Sequence, residues 1–469
     1  MSQPTNGSLS QLIERELGDN VFLCYQCVKC ASGCPLADHF DLTPNQVMRA
    51  VQLNDESVLA GNTIWLCASC QTCTTRCPQG LDVAGVMDAL SIEARRRGIA
   101  PAVPEVARFN RLFLQDIGLF GRLYEVGLMA GRNLSSGQPT RDMALGIEML
   151  KRGKLKLLPP VARRPKRAKP VTPSAHKIAY YPGCSLHGSA AEYDQTTRAV
   201  CRAVGLTLVE PPGWTCCGSS PAHRSDHVLA AVLPLANLAL IEQMGLSEVT
   251  APCSACYARL NAASHAYGQN EALTEAVRPR VGDDFRNSVT VRHLLDTLVE
   301  RVGLEAIAAQ VTRPLAGLKV AAYYGCLITR PAQLTGAAHP EYPTQLDALM
   351  GALGAEAVGW SYKTDCCGGS LSLTETSLAL ELTERILRNA HDCGADVIAA
   401  MCPLCHINLD ARQRQLNLDF ELPILYGTQL MALAFGLGEK VAALHKNFVD
   451  PRPVLAMDGS RKYGVGSTE

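Results

Sequence analysis

Neither sign of charge is in excess in this chain, with 44 Lys and Arg against 44 Asp and Glu. It therefore carries no whole-chain nucleic-acid signature. Long apolar runs are missing: the longest stretch, Val228 to Ile241, holds Pro234 and Asn237 and is too short to cross a bilayer. The N-terminus, Met1-Ser2-Gln3-Pro4-Thr5-Asn6-Gly7, has no basic start followed by an apolar segment, so no export signal is expected. No G-x-G-x-x-G fingerprint occurs, and none is visible for a flavin or a nucleotide. What is abundant is cysteine, at twenty residues in 469. A disulfide framework suits a small exported domain, which this is not. Reduced, metal-bound thiols in a cytoplasmic chain are the expectation.

The length suggests about three domains, and 47% apolar residues can fill their cores. Near the start stands Cys24-x-x-Cys27-x-x-Cys30-x-x-x-Cys34-Pro35, repeated as Cys67-x-x-Cys70-x-x-Cys73-x-x-x-Cys77-Pro78. This is the bacterial ferredoxin run, twice. Three close thiolates wrap one corner of a cubane, and the proline turns the chain so that the fourth reaches the other cluster. One 4Fe–4S cubane would take Cys24, Cys27, Cys30 and Cys77, and the other Cys67, Cys70, Cys73 and Cys34. Zinc also binds C-x-x-C pairs, but zinc does not need the four-cysteine-proline run. Ser8–Leu17, a helix started by Thr43-Pro44, and Val83 to Arg97 ending at Gly98 make this module helical. An α-helical ferredoxin-like domain is expected over 1–100.

A cysteine-free helical extension is expected over 101–150, as Pro104 to Asp116, Leu119 to Ala130 and Asp142 to Lys151. Its apolar positions Val106, Phe109, Leu112 and Phe113 are read as packing on the cluster module or a partner subunit. Residues 151–177 hold ten Lys and Arg and no acid. With its prolines, this stretch reads as an extended solvated linker lying across an acidic surface; membrane-surface or anionic-partner docking is the alternative. Then a unit repeats with a period of roughly 150 residues. Tyr181-Pro182-Gly183-Cys184 and Tyr324-Gly325-Cys326 each end a short strand. Cys216-Cys217-Gly218 and Cys366-Cys367-Gly368 follow, then Cys253-x-x-Cys256 and Cys402-x-x-Cys405, again after apolar strands. Helical stretches such as Tyr193 to Val204 and Leu371 to Arg388 intervene, so each unit is a parallel α/β unit with its cysteines at strand carboxyl ends. The units are placed at 178–312 and 313–450, with a flexible tail at 451–469. The fold class is thus multidomain α+β.

Adjacent cysteines diverge unless the backbone turns sharply. Gly218 and Gly368, the latter followed by Gly369, are expected to remove the Cβ that would block approach to a cluster. The stretches Tyr181 to Ser189, Tyr323 to Pro331 and Cys402 to Asp410 resemble the B subunit of heterodisulfide reductase. Residues 20–158 resemble its C subunit, so the chain is similar to a C–B fusion, the arrangement of the D subunit. The resemblance implies that each Cys-Cys-Gly (CCG) domain holds a noncubane 4Fe–4S cluster on five cysteines: Cys184, Cys216, Cys217, Cys253 and Cys256 in one, Cys326, Cys366, Cys367, Cys402 and Cys405 in the other. It further implies a catalytic oxidoreductase subunit that receives electrons through the cubanes and cleaves, or forms, a small-molecule disulfide between the paired clusters. The electron donor would be a flavin subunit or a membrane cytochrome, which would also place the chain peripherally on the inner face of a membrane.

Cys201 and Cys393 fall outside both patterns and read as buried, inert thiols. His187, His223, Arg224, Arg259, Arg330, Lys363 and His406 lie near ligand cysteines in sequence, and none is assigned a catalytic role. The competing reading is a non-catalytic electron-transfer subunit of a flavin dehydrogenase such as glycolate oxidase. Two complete five-cysteine sets favour the enzyme.

Overall fold

The computed structural model describes residues 7–160, 168–172 and 174–456. Residues 161–167 of the expected linker and 457–469 of the expected tail lie outside them. The N-terminal module is helical, and its helices begin where local chemistry dictates. Helix Leu9–Leu17 starts on Ser8 and helix Pro44–Gln52 on Thr43, each with a reciprocal capping box through Gln11 and Gln46. Helix Val83–Arg96 has every residue from Val83 to Ala94 buried, because it lies between its own module and the rest of the chain.

The next two helices differ from expectation. The first runs Pro104–Phe120, past Asp116, and stops at Gly121, whose φ is 74°. The second then starts later, as Glu125–Ser135. A third covers Met143–Lys151. Phe113, Ile117 and Leu128 form a core with Cys216, and Phe109, Leu112, Cys184 and Leu233 pack against it. The extension therefore packs on the first repeated unit through Phe109, Leu112 and Phe113, while Val106 packs on Leu36 of the ferredoxin module, as expected, together with Leu371 and Leu382 of the second unit.

That unit carries strands β1 (Lys177–Tyr180), β2 (Thr207–Val209), β3 (Glu248–Ala251) and β4 (Thr290–His293) in the order β2-β1-β3-β4. The second carries β5 (Lys319–Tyr323), β6 (Glu356–Ala357), β7 (Val397–Ala400) and β8 (Ile424–Tyr426) in the order β6-β5-β7-β8. All the pairings are parallel. Each chain of strands steps one way from the first strand and then crosses to its other side, which opens a crevice at the carboxyl ends.

The units pack reciprocally. Helix Ala191–Ala203 of the first lies on Gly427–Ala434 of the second, and Leu294–Asp296 of the first on Gln345–Ala352 of the second. One core runs through both, from Ile178 and Tyr180 to Val320, Leu346 and Leu425.

Within two stretches expected to be solvated, single side chains are buried. Lys154 is buried, ion-paired with Glu192, and donates to the Ser189 carbonyl at 3.3 Å. Arg452–Ala456 is helical with Leu455 buried, so the ordered chain continues past 451. A buried charge is stable only when paired, and a run rich in Lys and Arg does not reveal which of them finds a carboxylate.

Candidate functional site

In the ferredoxin runs, Gln26 and Val28 have φ of 61° and 65°, and the equivalent Ser69 and Gln71 have 50° and 62°. Left-handed backbone at a non-glycine is unfavourable, by about 1–2 kcal/mol per residue. A β-branched valine there is especially unusual. Four such residues at matched positions mark loops wound to aim their thiols inward. Cys24, Cys27, Cys30 and Cys77 line one small cavity together. Burial pushes the Cys34 thiol well up, and the nearby Cys70 and Cys67 thiols push it further. Burial likewise raises Cys73, with Cys67, Cys70 and Cys34 beside it. The fourth cysteine of each run thus stands with the other run's three.

In the first repeated unit Cys184 follows β1, Cys216 and Cys217 follow β2, and Cys253 and Cys256 follow β3. In the second, Cys326, then Cys366 and Cys367, then Cys402 and Cys405 follow β5, β6 and β7. Cys217 donates to Cys256 at 3.5 Å, and Cys367 to Cys405 at 3.6 Å. Cys216 hydrogen-bonds with Cys184, and Cys366 with Cys326. Both sets are held the same way. The Tyr181 hydroxyl donates to the Thr215 carbonyl at 2.7 Å, and that of Tyr323 to the Asp365 carbonyl at 2.6 Å. Each tyrosine stands three residues before the first cysteine of its unit and fixes the residue before the cysteine pair. Asn237 grips Thr215 through both its amide and its carbonyl, and Asn408 donates to the Cys367 carbonyl at 2.6 Å. The extension adds a third tie: the Cys216 amide donates to the Gly121 carbonyl at 2.8 Å, and the Leu123 amide to the Cys184 thiol at 3.4 Å.

Gly218 and Gly368 have another duty than expected, whereas a Cβ on Gly369 would meet the Cys367 sulfur at 3.4 Å. A Cβ on Gly218 would meet Ala222 at 2.5 Å and Leu233 at 2.8 Å, and one on Gly368 would meet Ala379 at 3.0 Å and Leu382 at 3.1 Å. These two, with φ of 85° and 72°, let the loop pack on the following helices. Their amides face the Cys216 and Cys366 thiols at 3.5 and 3.4 Å. Closer against thiols are Gly183, whose Cβ would fall 2.8 Å from the Cys256 sulfur, and Gly325, 3.0 Å from that of Cys405. The β1 and β5 turns are therefore cradles that a Cβ would fill. Among the described residues no three side chains close on a single ion's position. Wide thiol cradles of this kind fit a multi-iron core.

The sets also meet one another. Cys70 of the ferredoxin module lies close enough to Cys366 for each thiol to shift the other, and Cys253 and Cys402 do the same across the two units. Tyr193 and His293 staple this second junction. The Tyr193 hydroxyl reaches the carbonyls of Met401 at 3.1 Å and Pro252 at 3.4 Å, each just ahead of a junction cysteine. His293 contacts the same two carbonyls, and burial lowers its pKa to about 4, so it is neutral at pH 7. Tyr193, Tyr426 and His406 form a stack with ring centroids 4.1 and 3.9 Å apart. His293 and Tyr426 end β4 and β8, the fourth strand of each unit, where no cysteine drew notice. The strand-end rule applied to the fourth strand would have found them.

A cleft of about 500 Å³ opens where the ferredoxin module and both units meet. On it lie Asp88 and His223, joined at 2.7 Å, with Arg259, Arg330 and Leu327, the neighbour of Cys326. Arg259 makes no hydrogen bond or salt bridge with a described residue; burial lowers its pKa, against the through-space pull of Asp88 and Cys217. The other cations are engaged in structure. Arg330 donates to Thr72 and Thr364, Arg224 to the Ile64 and Trp65 carbonyls, and Lys363 to Asp347. His187 pairs with Glu210 at 3.2 Å. Cys201 is fully buried and its thiol is pushed up to about 12. Cys393, expected to be buried, is exposed, since it caps the solvent end of helix Thr376–Asp392.

Near Cys184, Glu125 turns its carboxylate onto Ser189, accepting from the hydroxyl at 2.6 Å and the amide at 3.4 Å. Burial raises its pKa to about 7. The folded state then holds this proton more tightly than the unfolded chain, so stability is lost as pH rises from about 4.5 to about 7. Glu125→Gln should unfold at higher urea than the parent at about pH 8, by on the order of 1–2 kcal/mol, and equally at about pH 4.

Residues 23–82 match the family described as 4Fe-4S dicluster domain, and residues 178–261 and 320–410 match the cysteine-rich domain. The chain is 31% identical over 280 residues to the 8-methylmenaquinol:fumarate reductase membrane anchor subunit of Wolinella succinogenes, covering 58% of this chain and 97% of that protein. It is 30% identical over 283 residues to a protein of Archaeoglobus profundus named as like the B subunit of heterodisulfide reductase, covering 57% and 94%. It is 28% identical over 290 residues to the B subunit of the ferredoxin/F(420)H(2)-dependent CoB-CoM heterodisulfide reductase of Methanosarcina acetivorans, covering 60% and 96%.

Proposed function

Since the chain belongs to the family of the heterodisulfide reductase B subunit and binds iron–sulfur clusters, we propose that it is the catalytic subunit of a complex that splits a small disulfide, or forms one in reverse. Cys24, Cys27, Cys30 and Cys77, and Cys67, Cys70, Cys73 and Cys34, would hold two cubanes. Cys184, Cys216, Cys217, Cys253 and Cys256, and Cys326, Cys366, Cys367, Cys402 and Cys405, would each hold a noncubane 4Fe–4S cluster. Bound there, the clusters supply one-electron transfer and thiophilic iron. Splitting one S–S bond consumes two electrons and two protons and leaves two thiols. The electrons come from a partner protein, a flavin subunit or membrane cytochrome.

The observation that carries this reading is continuity: Cys70 contacts Cys366, and Cys253 contacts Cys402. Three thiol sets abut without an intervening layer. The chain's own residues do the rest. Burial of Cys216, Cys217, Cys366 and Cys367 keeps water from the paired units. Arg259, with no carboxylate bonded to it, favours an anionic substrate in the cleft. Phe22, Leu23, Tyr25 and Val28 are exposed around the exposed Cys27, a collar suited to a redox partner docking at the outermost set.

Iron and sulfide assays of the reconstituted chain test the assignment. Two cubanes and two noncubanes require about sixteen irons, and about eight would overturn it.

A further inference from the structure

Helix Met143–Lys151 is apolar on two faces. Inward, Met149 is buried with Ala411 and Phe448, and Leu145 and Leu155 pack beside it. Outward, Met143, Ile147 and Leu150 stand at the i, i+4, i+7 positions of one stripe, 49%, 49% and 45% exposed. Leu157 and Leu158, just beyond, are 63% and 81% exposed. An exposed apolar stripe on the face opposite the buried one calls for a covering surface, and this helix lies on the outside. The Tyr124 hydroxyl donates to the Leu157 carbonyl at 2.5 Å, which ties the two leucines to the start of helix Glu125–Ser135. That is the end of the helix pair where Leu150 lies.

The flank of this patch is cationic. Lys151 and Lys156 are exposed and make no salt bridge among the described residues. Glu148, the acid within the helix, is matched by Arg152 at 2.9 Å. The sequence from 151 to 177 contains no further acid.

We infer that the outer face of helix Met143–Lys151, with Leu157, Leu158 and the flanking lysines, seats this chain directly on an anionic lipid surface. Exposed apolar side chains enter the headgroup boundary while lysines beside them meet lipid phosphates, and neither feature serves the other when water is the only neighbour. This contact is separate from the thiol sets, which lie elsewhere in the fold.

Flotation of the cluster-loaded full chain with phosphatidylcholine vesicles, with and without phosphatidylglycerol, tests it. Binding should require phosphatidylglycerol and weaken with salt. Ile147→Ser with Leu150→Ser should lower partitioning by about tenfold, and Lys151→Gln with Lys156→Gln by about tenfold, with circular dichroism and iron content unchanged. Equal binding to both vesicle types, no binding, or variants that partition like the parent would overturn the proposal. So would a change in particle mass on the Ile147→Ser, Leu150→Ser substitution in detergent-free light scattering, which would assign the patch to a protein contact.

Discussion

Cys367→Ala should abolish disulfide turnover and remove about a quarter of the bound iron, one cluster in four. The thiol is buried beside Cys405 at 3.6 Å, and its carbonyl is held by Asn408. Deleting one sulfur leaves that backbone bond in place, so the loop keeps its course. Its neighbour Cys366 is the residue that meets Cys70 of the ferredoxin module. The substitution therefore acts where electrons would enter the paired units, while Cys24 to Cys77 are untouched. Three readouts should separate. Iron and sulfide fall by about one cluster, the reduced-cubane paramagnetic signal persists, and the substrate-dependent signal of oxidised protein treated with thiol disappears. Turnover should drop on the order of a thousandfold or more, as for loss of a group that chemistry requires. Cys217→Ala should match it in the first unit. Cys393→Ala, at an exposed thiol outside every set, should match the parent. Full iron in Cys367→Ala would remove the five-thiol assignment.

The parts of the site legible in the sequence were those where spacing alone enforces geometry. A C-x-x-C-x-x-C-x-x-x-C-P run has few ways to fold, and capping residues such as Ser8 and Thr43 announce their helices. Strand–helix alternation with cysteines at strand ends sufficed for two parallel units. Contacts between units were not legible, because they arise from which surfaces meet. Nothing near Tyr193 or His293 in sequence points to the carbonyls of Met401 and Pro252, and only the reciprocal packing of the units brings them there. The Gly121 carbonyl reaches the Cys216 amide for the same reason. Helix ends within 104–135 were misplaced because Leu119 and Phe120 continue an apolar periodicity that Gly121 alone interrupts. Buried charge was hidden too: Lys154 sits in a basic run, and only the fold supplies Glu192.

The glycines give the sharpest separation between backbone need and site need. Gly98 and Gly183 have φ of 70° and 73°, so alanine meets the same left-handed penalty at either, about 1 kcal/mol. Their surroundings differ. A Cβ on Gly98 meets nothing within 4 Å, whereas one on Gly183 lands 2.8 Å from the Cys256 sulfur. Gly98→Ala should lower unfolding stability by about that 1 kcal/mol and leave iron content and turnover intact. Gly183→Ala must displace either the β1 turn carrying Cys184 or the helix Ser254–Ala266 carrying Cys256. Misplacement of a site group by about 1 Å is enough for a hundredfold loss of rate, so turnover should fall at least about that far and the first unit should lose its iron. Gly325→Ala, 3.0 Å from the Cys405 sulfur, should do the same to the second unit more mildly. If Gly183→Ala instead behaved like Gly98→Ala, the β1 turn would be an ordinary strand exit, and the five thiols of the first unit would not share one cluster.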